Sequence, residues 1–199
     1  MRLAEFPDIG SIIESTKMSA ETLPPLYALV AYIHDALGQF VEDLRAEVHP
    51  AHAHLAAHVS ILPPRPMIGS EQRSSEMLRR RCADVEPFEI EFGEVESFIP
   101  TTPTVFIRVA HKGYRMRELH DALNSEGLAY NEPLVYMPHL TIAKLATMER
   151  AREVFDLSVE RWRNFQGPRK TLIDSVTFVR GRDCQWEDIE EVSLAAVRK

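Results

Sequence analysis

The sequence predicts an α+β fold. It should be a bilobal, duplicated strand–helix–strand core, with two antiparallel sheets around a central cleft and the helices outside. Three observations predict this. Short apolar, β-branched runs alternate with stretches of helical spacing from Leu26 onward. That order of elements occurs twice. The second strand of each round carries the same short pattern, His58-Val59-Ser60-Ile61 in one and His139-Leu140-Thr141-Ile142 in the other. Helices laid on the outer faces of antiparallel sheets would bury the apolar surface such a chain presents.

The first round opens with a buried strand over 26–34. Asp35 is placed to cap a helix whose apolar positions Leu37, Val41, Leu44 and Val48 recur at helical spacing, and Pro50 ends it. Residues 54–62 read as the second strand, stopped by Pro63-Pro64. A surface helix fits 70–84. Residues 88–99 alternate apolar and acidic side chains, as a half-buried antiparallel strand does. The second round repeats the order: a strand over 103–110, a helix over 113–126 with Gly127 as its C-cap, a strand over 138–145 and a helix over 147–165. Strands over 171–181 and 186–197 close it.

The domain reading is therefore an N-terminal extension over 1–25 and one domain over 26–199. Its two pseudo-symmetric lobes run roughly over 26–102 and 103–199. The extension carries four prolines or glycines and no sustained alternation, and Met18 offers a second possible start.

Composition narrows the function classes. With 199 residues, 45% hydrophobic and 27% charged, the chain can bury a core without staples. A net charge of −7 argues against coating nucleic acid through bulk electrostatics, although a cleft for one nucleotide or one RNA end stays open. Cys82 and Cys184 lie too far apart in sequence for a metal knuckle. No leader peptide or membrane-spanning run is apparent, so a cytoplasmic protein is expected, with no membrane partner. A monomer is expected.

In a strand, residues i and i+2 project from one face. His58 and Ser60 therefore point together, as do His139 and Thr141, while their apolar neighbours turn into packing. Two such strands facing across a pseudo-twofold would gather two imidazoles and two hydroxyls. That set suits opening a 2′,3′-cyclic phosphate, which needs a base for the attacking water and an acid for the leaving ribose oxygen. Imidazole titrates near neutrality and can supply both. The hydroxyls can donate to the non-bridging phosphate oxygens. Neither a cofactor nor a metal is called for.

The motif pair, with Pro138 before the second histidine and HVSILPPR around the first, resembles the two-histidine (2H) phosphoesterase superfamily. More closely it resembles the 2′-5′ RNA ligase-like branch that includes RNA 2′,3′-cyclic phosphodiesterases. The resemblance covers roughly residues 26–197. It implies a bilobal fold with a central cleft, His58 and His139 as catalytic residues, and RNA ends or small nucleotides with a cyclic phosphate as substrates. It also implies 2′-5′ RNA ligation as a second possible activity. Ser60 stands where many members have threonine. The donor is kept and the methyl group that holds the rotamer is lost.

Other residues carry weaker signals. Arg65 could reach a substrate phosphate with its forked guanidinium or could be a surface arginine. Tyr27, Phe106 and Tyr136 are candidates for stacking on a base, against the commoner role of strand aromatics as core. Lys144 has the wrong strand parity to join His139 and Thr141 unless the strand breaks or twists. Arg180 and Arg182 fit a solvated turn better than a cleft rim. His49, His52, His54 and His58 form a histidine-rich run, which reads better as a loop entering a strand than as a metal site, since no HExxH pattern is present. A nucleotide-binding module without catalysis is the rival from another class, but two intact motifs speak against it.

Overall fold

The computed structural model describes residues 24–182 and 185–195. The predicted extension over 1–25 lies almost entirely outside the described residues, and so does Cys184.

Eight strands and four helices follow one another as β1 (Leu26–Tyr32), α1 (Ala36–Val48), β2 (His58–Arg65), α2 (Glu71–Cys82), β3 (Phe88–Ser97), β4 (Thr104–His111), α3 (Gly113–Leu123), β5 (His139–Lys144), α4 (Met148–Asn164), β6 (Lys170–Ile173), β7 (Ser175–Arg182) and β8 (Gln185–Ser193). Local chemistry sets several boundaries. The Asp35 carboxylate accepts from the Leu37 and Gly38 amides and starts α1, while Ser70 and Thr147 cap α2 and α4 in the same manner. Gly38 is required where it stands, because a Cβ there would lie 1.7 Å from the Ile33 carbonyl oxygen.

The α+β class stands, with antiparallel strands and covering helices. The two sheets are wings of one: the strand order is β6-β3-β4-β5-β2-β1-β7-β8, and the wings join where β5 meets β2 at a single pair, Val59 opposite Leu140. Each wing mixes strands from both halves of the sequence. β3 lies between β6 and β4, and β7 and β8 continue from β1. The boundary near residue 102 therefore divides the repeat in sequence but not the two sheets in space. The helices cross over too. α1, from the first half, packs on β5, and α3, from the second, packs on β2.

Only Asp174 separates β6, at one end of the strand order, from β7, next to the other end. Extended chain spans at most about 3.6 Å per residue, so Ile173 and Ser175 lie close together. The sheet is thus forced to curl until its far ends meet. The single strand predicted over 171–181 is two strands for this reason.

Two further expectations need correction. β2 does not stop at Pro63-Pro64 but continues to Arg65. The prolines lack an N–H, yet β5 leaves β2 after the Val59–Leu140 pair, and the β1–β2 register is irregular at this point. Gly127 does not cap α3, which ends at Leu123 with Asn124 as its cap; it sits in a 3-10 turn over 126–128. A Cβ there would lie 2.5 Å from the Ile68 carbonyl oxygen, so the glycine serves a close loop contact.

One apolar core runs under both wings, and Val59 and Leu140 are both fully buried in it at their junction. Leu140→Ala should lower the unfolding free energy by about 2–5 kcal/mol. In a double-mutant cycle with Val59→Ala, chemical denaturation should show non-additive losses, because the two side chains share one site. Additive losses would mean that the wings are joined elsewhere.

Candidate functional site

Cross-strand register defines the face that carries the histidines. Tyr32 is opposite His58 and Val30 is opposite Ser60. On the other wing, Arg108 is opposite His139 and Phe106 is opposite Thr141. Continuing the antiparallel pair from Val59–Leu140 sets His58 across from Thr141 and Ser60 across from His139, around a local twofold. The four motif residues share one face and are half-buried.

Each motif strand carries a bulge directly after its hydroxyl residue. In β2, Ser60 is opposite Val30 and Leu62 is opposite Leu29, so β2 holds one extra residue, and Ile61 and Leu62 both turn into the core. In β5, Thr141 is opposite Phe106 and Ala143 is opposite Val105, and Ile142 and Ala143 both turn inward. A bulge bends its strand and leaves main-chain groups unpaired. Here the bends end the β2–β5 pairing and open the cleft.

The freed carbonyls are met by buried donors. Arg45 of α1 is 5% exposed. Its Nη2 donates to the Thr141 carbonyl at 2.8 Å, its Nε to the Ile142 carbonyl at 3.0 Å, and its Nη1 to the Leu55 carbonyl. On the other side, Tyr136 donates its hydroxyl to the Ser60 carbonyl at 2.8 Å. Glu42, one turn before Arg45, accepts from the Ala57 amide at 2.8 Å. α1 thereby fixes the main chain leading into His58 and the bulge that follows His139.

The imidazoles are held alike. His58 Nδ1 lies 2.9 Å from the Ala56 carbonyl oxygen, and His139 Nδ1 lies 2.7 Å from that of Met137. A carbonyl only accepts, so Nδ1 carries the hydrogen, and in the neutral ring Nε2 is left with its lone pair. Phe98 meets the His139 ring edge-on at 5.2 Å between centroids, and Phe106 lies 4.9 Å from it. Tyr32 meets His58 edge-on at 6.2 Å. Burial lowers the His58 pKa below the ordinary imidazole range, and the Arg45 and His139 charges push it the same way against the Ala56 hydrogen bond. Burial also lowers that of His139, opposed by the Met137 hydrogen bond.

Three residues predicted at the site are elsewhere. Arg65 does not reach the cleft. Strict alternation from His58 sets it opposite Tyr27 on the core side, where it is 1% exposed, ion-paired with Glu132 and bonded to Asn124 Oδ1 at 2.9 Å. Tyr27 packs against Phe178 and donates to Glu71, away from the histidines. Tyr136 is no base platform, since its ring stacks on His120 at 4.2 Å and its hydroxyl is spent on Ser60. Phe106 does reach the site, but as the buried floor under His139 rather than as an open stacking surface.

Lys144 moves the other way. The β5 bulge reverses its parity and sets it opposite Thr104, on the face of Phe106 and Thr141. Arg108 shares that face beside His139 and pairs with Glu96 at 3.3 Å. The histidine-rich run forms a 3-10 turn over Pro50–His52 and a loop before β2, as a solvated run should. Arg180 bridges Glu71 and Glu187. Sequence reasoning missed Arg45, Phe98, Tyr32 and Arg108. The apolar doublets Ile61-Leu62 and Ile142-Ala143, which break strict alternation, are the signal that could have revealed the bulges.

A curled antiparallel sheet that presents two histidine–hydroxyl pairs on one face defines a two-histidine phosphoesterase fold. The chain belongs to the 2′-5′ RNA ligase superfamily, whose family model matches residues 33–183. Curated relatives include proteins named "Putative phosphoesterase" from Staphylococcus aureus strain Newman and Halalkalibacterium halodurans. The first is 25% identical over 158 residues, covering 78% of this chain and 90% of its own. The second is 24% identical over 119 residues, covering 59% and 69%. Among solved structures, Escherichia coli LigT complexed with NADP+ superposes with a TM-score of 0.55 at 10% identity, covering 87% of this chain and 99% of its own. TT0787 of Thermus thermophilus gives 0.54 at 13% identity, covering 87% and 100%. At such identities these structures are likenesses of fold. None of the described helices is long and apolar enough to cross a membrane.

Arg45→Met should destabilise the protein by roughly 2–4 kcal/mol, because three buried carbonyls lose their donor. The same change removes a positive charge that depresses His58, so an NMR titration should find the His58 pKa raised. An unchanged His58 titration in a folded variant would show that Arg45 has no electrostatic hold on the site.

Proposed function

We propose that this protein is a metal-independent phosphodiesterase that opens 2′,3′-cyclic phosphates on RNA ends or nucleotides. One observation carries the reading: two imidazoles on one face, each with Nδ1 tied to a main-chain carbonyl, so that both Nε2 atoms are the free, titrating positions. Their only obvious joint use is to move protons on either side of one phosphorus atom. The cyclic phosphate sits between them, with Ser60 and Thr141 donating to its non-bridging oxygens. One Nε2 takes a proton from the attacking water, and the other returns one to the ribose oxygen as the P–O bond breaks. The product is a phosphomonoester.

The two histidines are not equivalent. His58 feels the Arg45 guanidinium as well as burial, whereas burial is what lowers His139, against its Met137 hydrogen bond. A positive neighbour disfavours the imidazolium. His58 is therefore the base and His139 the acid in the hydrolytic direction.

Hydrolysis of 2′,3′-cyclic mononucleotides tests the reading. His58→Ala and His139→Ala should each lose about 10²–10⁴-fold in rate, and full activity should survive exhaustive chelation. Equal background turnover by the wild type and both variants would sink the proposal. An aryl phosphodiester, whose leaving group needs no proton, should separate the roles: His139→Ala should recover much of its rate and His58→Ala should not.

Because burial depresses both imidazoles, the singly protonated pair is favoured at lower pH than for free histidines. The kcat/KM profile should be bell-shaped, with its maximum below the unperturbed histidine pKa of about 6.5. Above that maximum the acid loses its proton and the rate falls. Since Arg45 depresses His58, the base, Arg45→Met should carry the acid limb to higher pH and leave the alkaline limb, set by His139, nearly in place. A plateau extending well above neutrality, with chemistry rate-limiting, would contradict this protonation scheme.

A further inference from the structure

Beside His58, on the same face of the sheet, the wing of β1, β7 and β8 holds a cavity of about 420 Å³, within the range of small-ligand sites. Tyr32, His34, Ala56, Thr177, Asp188 and Glu191 are among its lining residues. It adjoins the catalytic group directly, because Tyr32 is the cross-strand partner of His58 and Ala56 supplies the carbonyl that holds its Nδ1.

The lining has a definite chemistry. Asp188 shares the face of Val179, and Glu191 that of Thr177. One Asp188 oxygen accepts from the Tyr32 hydroxyl at 2.7 Å, and the other has no partner among the described residues. Thr177 is 4% exposed, lies between the core residues Val176 and Phe178, and is turned to the opposite face from them. Its hydroxyl has no hydrogen-bond partner among the described residues. That hydroxyl opens onto the cavity, where a bound group can bond to it directly. The carboxylates repel phosphate, so the occupant is a neutral part of the substrate that carries N–H donors. Tyr32 and His34 add ring faces against which a flat group can lie.

From this cavity we infer a nucleobase subsite that selects a base with adjacent N–H donors on its edge, guanine foremost, and rejects uracil, whose carbonyl oxygens would face carboxylates. The inference rests on the proposed reaction at His58 and His139 for the position of the phosphate, but base binding can be measured without turnover.

Two measurements on the full chain test it. The first compares kcat/KM for guanosine, adenosine, cytidine and uridine 2′,3′-cyclic phosphates. Guanosine should exceed uridine by roughly 10-fold or more, as expected for a carboxylate reading paired donors. Asp188→Asn, which offers an amide donor to the base, should collapse that ratio, chiefly through KM, and Thr177→Val should reduce it. The second follows the binding of guanosine and uridine, without phosphate, by NMR. Guanosine should shift the resonances of residues around Tyr32 and Thr177, and Asp188→Asn should weaken it. Equal kcat/KM for all four bases, or guanosine binding that ignores both substitutions, would overturn the subsite. If no cyclic phosphate is turned over but guanosine still binds through Asp188, the hydrolytic reading fails and the subsite stands.

Discussion

The site depends on one main-chain junction, the Val59–Leu140 pair where the two wings touch. Two strands that paired along their full length would zip the wings into a flat, closed surface and leave nothing for a substrate to enter. Bulges at Ile61-Leu62 and Ile142-Ala143 prevent this. Each bends its strand immediately after the hydroxyl residue, so β2 and β5 meet long enough to fix the motif residues around a local twofold and then part. The far ends of the sheet are held together by the continuous β6–Asp174–β7 segment, so the divergence creates a cleft without letting the wings drift apart.

That arrangement carries a cost in unpaired main-chain carbonyls. A bulge exposes its carbonyls just where the core excludes water, and each would be expensive if left alone. The fold meets the cost by exchange between halves. α1 leaves the first half to cover β5 and brings Arg45 to Thr141 and Ile142, while the segment before β5 brings Tyr136 to Ser60. The two donors are equivalent in place but not in charge. A guanidinium and a phenol solve the same hydrogen-bonding problem, yet only the guanidinium biases a nearby imidazole. The asymmetry between the two histidines thus has a structural origin in a symmetric frame.

The order of elements, the two histidines with their hydroxyls and most helix boundaries were legible in the sequence, because each rests on local chemistry. Asp35, Ser70 and Thr147 are caps that act on their own first turns, and the period-2 rule places His58 with Ser60 and His139 with Thr141. What was illegible depends on distant partners. Strict alternation from His58 already sets Arg65 on the side of Val59 and Ile61, and the two irregularities of the β1–β2 register cancel to leave it there, whereas the single β5 bulge reverses the parity of Lys144 and defeats the count. Arg45 looks like any arginine on a helix until the carbonyls it meets, nearly a hundred residues further along the chain, are known. The splitting of 171–181 at Asp174 follows from the curl of the whole sheet and has no local cause.

The electrostatics of the cleft follow from the same frame. The chain is acidic overall, and the wing beside His58 adds Asp188 and Glu191 to that balance. Such a surface cannot hold a polyanion by counterion release, which needs arrays of lysine and arginine along the backbone track. It can hold a single phosphate where donors converge, at Ser60 and Thr141 with Arg108 on the same face. A neutral group can sit alongside, where acceptors converge. Recognition of one nucleotide through a few directed bonds is therefore the mode this geometry permits, and it suits the end of a strand better than its length. On the proposed reading, the histidine pair and the acidic wall belong to one logic: an anion would be confined to the narrow junction between the wings, because Asp188 and Glu191 repel it from the wall beside His58.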